Sequence, residues 1–324
     1  MRSVRRLGPV LGLAAFIAVS GAADFIPATV AFRLPDKELI PEGIALDART
    51  GRFFLSSIAK EKVVVVEPSG KARDFIPSGR DGVMESLGLK VDEVRRRLWV
   101  LSNKDIGERH VSAVHVFQAD SGALLQKHVL DGRERRLLND LALLPDGSAY
   151  LTDTEGHRLY FVPADLSRVE LFLESKDLLT SANGIAASPD GRLLYVAALK
   201  HITVVEAASK AMRPAANPSA VPDSGIDGLL YHRGGLAAVV NGVAAEQEIH
   251  IARFDLSPDG WEIRGKTVID RGNPMFHIPT TAALDGDDLY CLAATCLDVF
   301  LRSGLNDSGH LHEPVVLRYR LAGR

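Results

Sequence analysis

The sequence predicts an all-β chain: a six-bladed β-propeller whose four-stranded antiparallel blades surround a central channel. Three observations predict it. A phrase that opens on an oxygen-bearing residue and runs into a small apolar strand returns about every 45 residues, the period of propeller blades. Each return carries a tight turn and a second apolar strand, the unit from which blades are built. A strand-like segment at 29–34 precedes the first phrase and suits a ring closed by its own N-terminus.

The first phrase is Glu42-Gly43-Ile44-Ala45-Leu46-Asp47, then a turn at Gly51 and Phe53-Phe54-Leu55. The Val-rich stretch 62–67 continues blade one, and Pro68-Ser69-Gly70 turns it. Blade two aligns without a gap: Leu87-Gly88-Leu89-Lys90-Val91-Asp92 falls on 42–47, and Leu98-Trp99-Val100 on 53–55. Its axial residue is therefore Leu87, which brings no oxygen. Its next strand is read at 113–118, with 102–110 as loop. Blade three reads Asn139-Asp140-Leu141-Ala142 before Pro145-Asp146-Gly147, with strands at 149–153 and 158–162. Blade four reads Asn183-Gly184-Ile185-Ala186 before Pro189-Asp190-Gly191, with strands at 193–197 and 202–206. Blade five opens on Asp227-Gly228-Leu229-Leu230 after a Pro- and Ala-rich link at 213–222, and continues at 249–256. Blade six opens near 276–281 and continues at 289–294 and 315–321. The segments 177–181 and just before Leu87 are expected to hold short helices. One domain, 29–321, follows, because blades cannot bury their faces alone.

Arg2, Arg5 and Arg6 precede an apolar, uncharged run at 7–19 and then Ser20-Gly21-Ala22-Ala23. This is the layout of a secretory signal peptide over 1–23, expected to be cleaved after Ala22 or Ala23. An uncleaved anchor is the alternative, although the run is short for a span of about 20 residues. A periplasmic or secreted protein, with no membrane contact after cleavage, is expected. Removing the three arginines raises the acidic excess from 3 to 6 and leaves no basic stripe, so nucleic acid is not an expected partner. Oligomeric state is not legible. The two cysteines, Cys291 and Cys296, either stay buried thiols or pair across a turn near Ala294-Thr295, since a disulfide needs Cα atoms within about 7 Å.

Blades pack radially, so equivalent positions converge on one axis. Glu42, Asn139, Asn183 and Asp227 open four of the phrases and would place two carboxylates and two amide oxygens in one small space. Such a set suits a hard divalent cation, Ca2+ first, with Mg2+ or Mn2+ possible. No His or Cys shares the register, so a soft metal is not favoured. Asn, Asp and Gly also open strands simply because they fit turns. Asp140 follows Asn139, and strand alternation is expected to turn it away from the axis. The three Pro-Asp-Gly runs read as hairpin turns rather than calcium loops. No G-x-S-x-G elbow is present.

The phrases LPEGIALD, LLNDLALLPDG, SANGIAASPDG and GIDGLL resemble the SMP-30/gluconolactonase (regucalcin-like) family of six-bladed propellers, and are similar to paraoxonase and strictosidine-synthase-like proteins. The resemblance spans about 29–321. It implies a divalent metal, usually calcium, held by Glu42, Asn139, Asn183 and Asp227, and hydrolysis of a lactone or related ester of small-molecule size. It implies Asp227 as the catalytic base. Two departures stand out. Sugar-lactonase members carry an Arg where this chain has Leu137, with Arg136 facing the other way. Paraoxonase uses a His where this chain has Ser102-Asn103-Lys104-Asp105, and His110 lies further along. His277 could face the mouth, and Glu246 and Glu248 match no motif. The other classes kept open are a non-enzymatic binding or scaffold propeller with a structural metal, and an NHL-like sensor without one.

Overall fold

Short β-branched and aromatic runs broken by glycine turns give 24 strands among the described residues, 25–241 and 248–321 of a computed structural model. The signal-like segment 1–23 and Glu246 lie outside them. The strands assemble into six sheets of four antiparallel strands each. Blade one holds β2 (Ile44–Asp47), β3 (Arg52–Ser57), β4 (Lys62–Val66) and β5 (Ala72–Ile76). Blade two holds β6 (Glu85–Asp92), β7 (Arg97–Ile106), β8 (Arg109–Gln118) and β9 (Leu124–Gly132). Blade three holds β10 (Leu138–Leu143), β11 (Ala149–Asp153), β12 (Arg158–Val162) and β13 (Glu170–Glu174). Blade four holds β14 (Ile185–Ala187), β15 (Leu193–Ala197), β16 (Ile202–Glu206) and β17 (Met212–Pro214). Blade five holds β18 (Ile226–His232), β19 (Gly235–Val240), β20 (His250–Leu256) and β21 (Ile263–Arg271).

Blade six is built from both ends of the chain. β22 (Ala282–Asp285), β23 (Asp288–Ala294) and β24 (Val315–Arg320) supply three strands, and β1 (Ala28–Arg33) supplies the outer one. Ala28 pairs with Tyr319 and Arg33 with Val315. The expected closure of the ring by the 29–34 segment is therefore what forms.

The core is divided into layers between neighbouring blades. Phe54 and Val65 of blade one pack with Leu89, Leu98 and Phe117 of blade two. Trp99, Leu101 and Val114 of blade two pack with Leu141, Leu151 and Tyr160 of blade three. Comparable clusters fill the remaining four gaps. Each sheet is thus buried on both faces, which is why its strands read as apolar runs rather than as an alternation.

Two local expectations are corrected. The blade-two hairpin is longer than read, because β7 and β8 stay paired from Arg97↔Gln118 out to Ile106↔Arg109, so 102–105 and His110 lie in strands. The segment 177–181 forms turns, not a helix, whereas a 3-10 turn does precede β6 at Arg80–Gly82. A seven-residue helix, α1 (Leu297–Ser303), and a 3-10 stretch at Gly304–His310 join β23 to β24. Val299 and Leu311 there bury against Ile40. Among the described residues no helix is long and apolar enough to cross a membrane.

At the far end of β2, Asp47 ties blade one to blade two. Its carboxylate accepts from Arg96 at 2.7 and 2.9 Å and from Thr50 at 2.6 Å, and Arg52 stands 3.3 Å away. Burial alone would raise its pKa; the hydrogen bonds from Arg96, Thr50 and Arg52 overcome that and hold it at about 2. A carboxylate depressed in the folded state stabilises the fold above its unfolded value of about 3.9, and that contribution is lost as pH falls through about 2. Asp47→Asn is expected to lower the melting temperature at pH 6, and the gap to wild type should narrow between pH 4 and pH 2. Parallel melting curves across that window would show no working ion pair.

Candidate functional site

The inner strands all begin at the same end of the ring, and their opening residues crowd the axis. Local backbone irregularity aims those of blades three and five. In blade three the pairing of β10 with β11 shifts between Leu138 and Leu141, and in blade five that of β18 with β19 shifts between Ile226 and Gly228. A bulge of this kind re-aims a side chain out of the regular alternation. Glu42, Asn139, Asn183 and Asp227 consequently line one cavity of about 10 Å³. That is room for about one water-sized sphere.

Glycines bring the blades this close. Gly43, Gly88, Gly184 and Gly228 each follow an axial residue and lie against the backbone of the next blade. A Cβ on Gly88 would overlap the carbonyl of Asn139, and one on Gly184 would overlap the carbonyl of Asp227. The Gly184 N–H also donates to that carbonyl at 2.8 Å. Gly184→Ala is expected to cost about 1–3 kcal/mol, because the obstructing atoms are backbone and cannot swing away. Chemical denaturation measures it, and a variant as stable as wild type would mean the blades have slack at the axis.

Asn139, Asn183 and Asp227 are each oriented by a neighbour. Asn139 Nδ2 donates to Thr154 Oγ1 at 3.0 Å, which leaves Oδ1 for the cavity. Thr154 is fixed in turn by donating to the Ala182 carbonyl at 2.7 Å. Asp227 accepts hydrogen bonds from Asn241 and Asn183. Burial, and then the charge of Asp140, still push the Asp227 carboxyl up to about 7 against those bonds. Glu42 is raised well above the usual carboxylate range by burial and by the charges of Asp227 and Asp140, with Lys90 acting the other way.

Two carboxyls held in a space where their charges are unfavourable are what a bound cation relieves. The donor set is oxygen only, as a hard ion requires. Among the described residues no group of three or more His, Cys, Asp or Glu is arranged to hold a metal, so any ion here depends on the asparagine amides as well. Thr281 adds an oxygen that sequence reasoning missed: its Oγ1 is buried without a hydrogen-bond partner, and the residue lines the same cavity. Its signal in the sequence is position, since it occupies in blade six the place that Gly43 and Gly184 hold in theirs.

Asp140 overturns its expectation. The bulge that aims Asn139 inward carries Asp140 with it, and both line the cavity. Asp140 Oδ1 lies 3.0 Å from Lys90 Nζ, a contact without hydrogen-bond angles. Leu87 is buried and apolar, and Lys90, three residues on, also lines the cavity. Beyond Lys90 the channel widens toward the opposite face into a cavity of about 490 Å³, lined by Ile44, Leu46, Leu141, Ile185 and Leu229 among others.

The remaining candidates fall elsewhere. His110 contacts Asp105 at 2.7 Å on the blade-two hairpin. His277 stands 3.2 Å from Asp298 and 3.3 Å from Cys296 Sγ, away from the cavity. Cys291 and Cys296 are both free and buried. Glu248 pairs with Arg271 at 3.3 Å, and Arg136 donates to Tyr160 Oη at 3.3 Å. The Pro-Asp-Gly runs form turns, as in Asp146, whose Oδ1 accepts from the Ser148 N–H and hydroxyl.

The family described as SMP-30/gluconolactonase/LRE-like region matches residues 40–229. No curated protein matches the chain by sequence. A gluconolactonase from Xanthomonas campestris is similar in structure at 20% identity and TM-score 0.59, covering 93% of this chain and 96% of that one. Regucalcin from Agrobacterium tumefaciens, described as a calcium-binding protein, is similar at 16% identity and TM-score 0.59, covering 90% and 94%. Virginiamycin B lyase from Staphylococcus aureus is similar at 14% identity and TM-score 0.57, covering 82% of each chain. At these identities the likeness is one of fold.

Proposed function

Because the chain belongs to the SMP-30/gluconolactonase/LRE-like family, we propose that it is a hydrolase of a lactone or related small ester, with a divalent cation resident in the axial cavity. The observation that carries this reading is the convergence of Glu42, Asn139, Asn183 and Asp227 on a space of one small sphere. Calcium is the ion proposed first, given the all-oxygen donor set and the calcium-binding neighbour. The N-terminal pattern at 1–23 supports an exported protein.

When bound, a divalent cation supplies Lewis-acid polarisation of the substrate carbonyl. The chain's own groups do the rest. Glu42, Asp227 and the amide oxygens of Asn139 and Asn183 would hold the ion, and Thr154 keeps the Asn139 oxygen turned inward. Asp227, fixed by Asn241 and Asn183, takes a proton from the attacking water as general base. Leu137 in place of the family's Arg leaves the mouth without that guanidinium, which favours a less polar substrate than a sugar lactone.

One observation favours a second reading, a binding propeller with a structural ion. Glu42, Asn139 and Asp227 are only 6–8% exposed, so little of the site faces a substrate. Two measurements separate the readings. Metal analysis of the purified protein should find about one divalent ion per chain, and a lactone and ester panel should show activity that EDTA removes and calcium restores. Calcium-dependent stabilisation with no activity on the panel would support the structural ion. Neither effect would reject both.

A further inference from the structure

Two blades break the repeat at the axis, and the residues that break it are partners. Three positions beyond the axial residue the blades carry Ala45, Ala142, Ala186, Leu230 and Ala283, all small or apolar and packed toward the next blade; blade two alone carries a charge there, Lys90. One position beyond the axial residue the blades carry Gly43, Gly88, Gly184, Gly228 and Thr281; blade three alone carries a charge there, Asp140. The Lys90 ammonium and the Asp140 carboxylate meet at 3.0 Å, with side chains 21% and 7% exposed. Blade two is also the blade whose axial residue, Leu87, offers no oxygen.

We propose that Lys90 is a built-in counter-ion of the ring, which cancels Asp140 so that the cavity presents the two negative charges of Glu42 and Asp227 and is matched to a divalent rather than a trivalent cation. The inference rests on the proposed resident ion and goes beyond it, to what sets its charge preference. Without Lys90 the Asp140 carboxylate would add an uncancelled negative charge to the wall of a cavity that Glu42 and Asp227 already line. In a partly buried site a unit charge a few ångströms away alters an ion's affinity by at least about tenfold. Lys90 also forms the floor between the small cavity and the wide apolar part of the channel, lining both. Its replacement by an uncharged side chain of similar length therefore removes charge while still filling the space.

The test titrates Ca2+ and Tb3+ separately by calorimetry, with Tb3+ luminescence as a second readout, after circular dichroism has verified folding. Lys90→Met is expected to raise the preference for Tb3+ over Ca2+ by about tenfold or more. Asp140→Asn, which leaves the ammonium uncancelled, is expected to weaken both ions by about tenfold. The double variant, whose lost charges cancel, should return to the wild-type preference, and it carries the test if either single variant fails to fold. A Lys90→Met preference equal to wild type, or a double variant that differs as much as Lys90→Met, would overturn the proposal. If wild type binds neither ion and Lys90→Met binds Ca2+ or Tb3+, the ammonium is itself the ring's cation, and the divalent match and the wild-type metal reading both fall. If no protein in the set binds either ion, both fall.

Discussion

Asp227→Ala is expected to lower hydrolysis of any lactone or ester substrate by about 10²–10⁴-fold, the range in which a positioned proton acceptor contributes, and to weaken calcium binding as well. The two losses have different origins and can be told apart with Asp227→Asn. The amide keeps the shape of the side chain and an oxygen toward the cavity, but it cannot accept a proton from water. It should therefore retain more calcium affinity than the alanine variant while losing as much turnover. Stability should move the other way. Burial penalises the charged form of this side chain, and the hydrogen bonds from Asn183 and Asn241 offset that only in part. In EDTA the Asn variant should melt at or above wild type. In calcium wild type should gain stability in proportion to ligand binding, as mass action requires, and Asp227→Ala should gain little. Scanning calorimetry in both buffers, with single-turnover kinetics on the best panel substrate, reads both effects. Full activity in Asp227→Asn would assign the proton to another group, with Asp140 the next candidate carboxylate on the cavity wall.

The fold was legible because each blade repeats its own instructions. Glu42-Gly43, Asn183-Gly184 and Asp227-Gly228 are the same local solution, an inward donor followed by a residue small enough for the next blade to approach. Blade two was legible by its gapless alignment even though Leu87 carries no donor. What escaped the sequence escaped for physical reasons. Alternation assumes unbroken strand pairing, so it sent Asp140 away from the axis, and the bulge between Leu138 and Leu141 brought it back. Lys90 resembles any polar residue on a half-buried strand, and its meaning lies in a partner 50 positions away on another blade. Thr281 lacks the glycine that marks four of the other openings, and its orphan hydroxyl is visible only once the ring is closed. α1 is too short to show a helical period, being little more than the bridge from β23 to β24.

Asn103, in the stretch where the sequence lacks a paraoxonase-like histidine, serves the site by structure, and its replacement should produce the largest loss of stability among these variants. Paraoxonase-type chemistry would want a histidine in this stretch. Here the asparagine, 5% exposed, joins blade two to the start of β10. Its Nδ2 donates to the Leu138 carbonyl at 2.9 Å. Its Oδ1 accepts from the Leu138 N–H at 2.9 Å and from the Ser112 hydroxyl at 2.7 Å. Both backbone groups of the residue before Asn139 are therefore satisfied by one side chain. Asn103→Ala strips all three bonds and leaves a buried N–H and C=O unpaired, each costing about 1–3 kcal/mol. Allowing for partial relaxation, a loss of about 3 kcal/mol is expected. Ser112→Ala removes only one of the bonds and should cost about 1 kcal/mol. The site should feel the difference, since Leu138 fixes the strand that presents Asn139 and Asp140: calcium affinity should drop in Asn103→Ala and hold in Ser112→Ala. Urea unfolding of both variants, paired with calcium titration, checks this, and equal destabilisation by the two would mean that Leu138 finds its hydrogen bonds elsewhere.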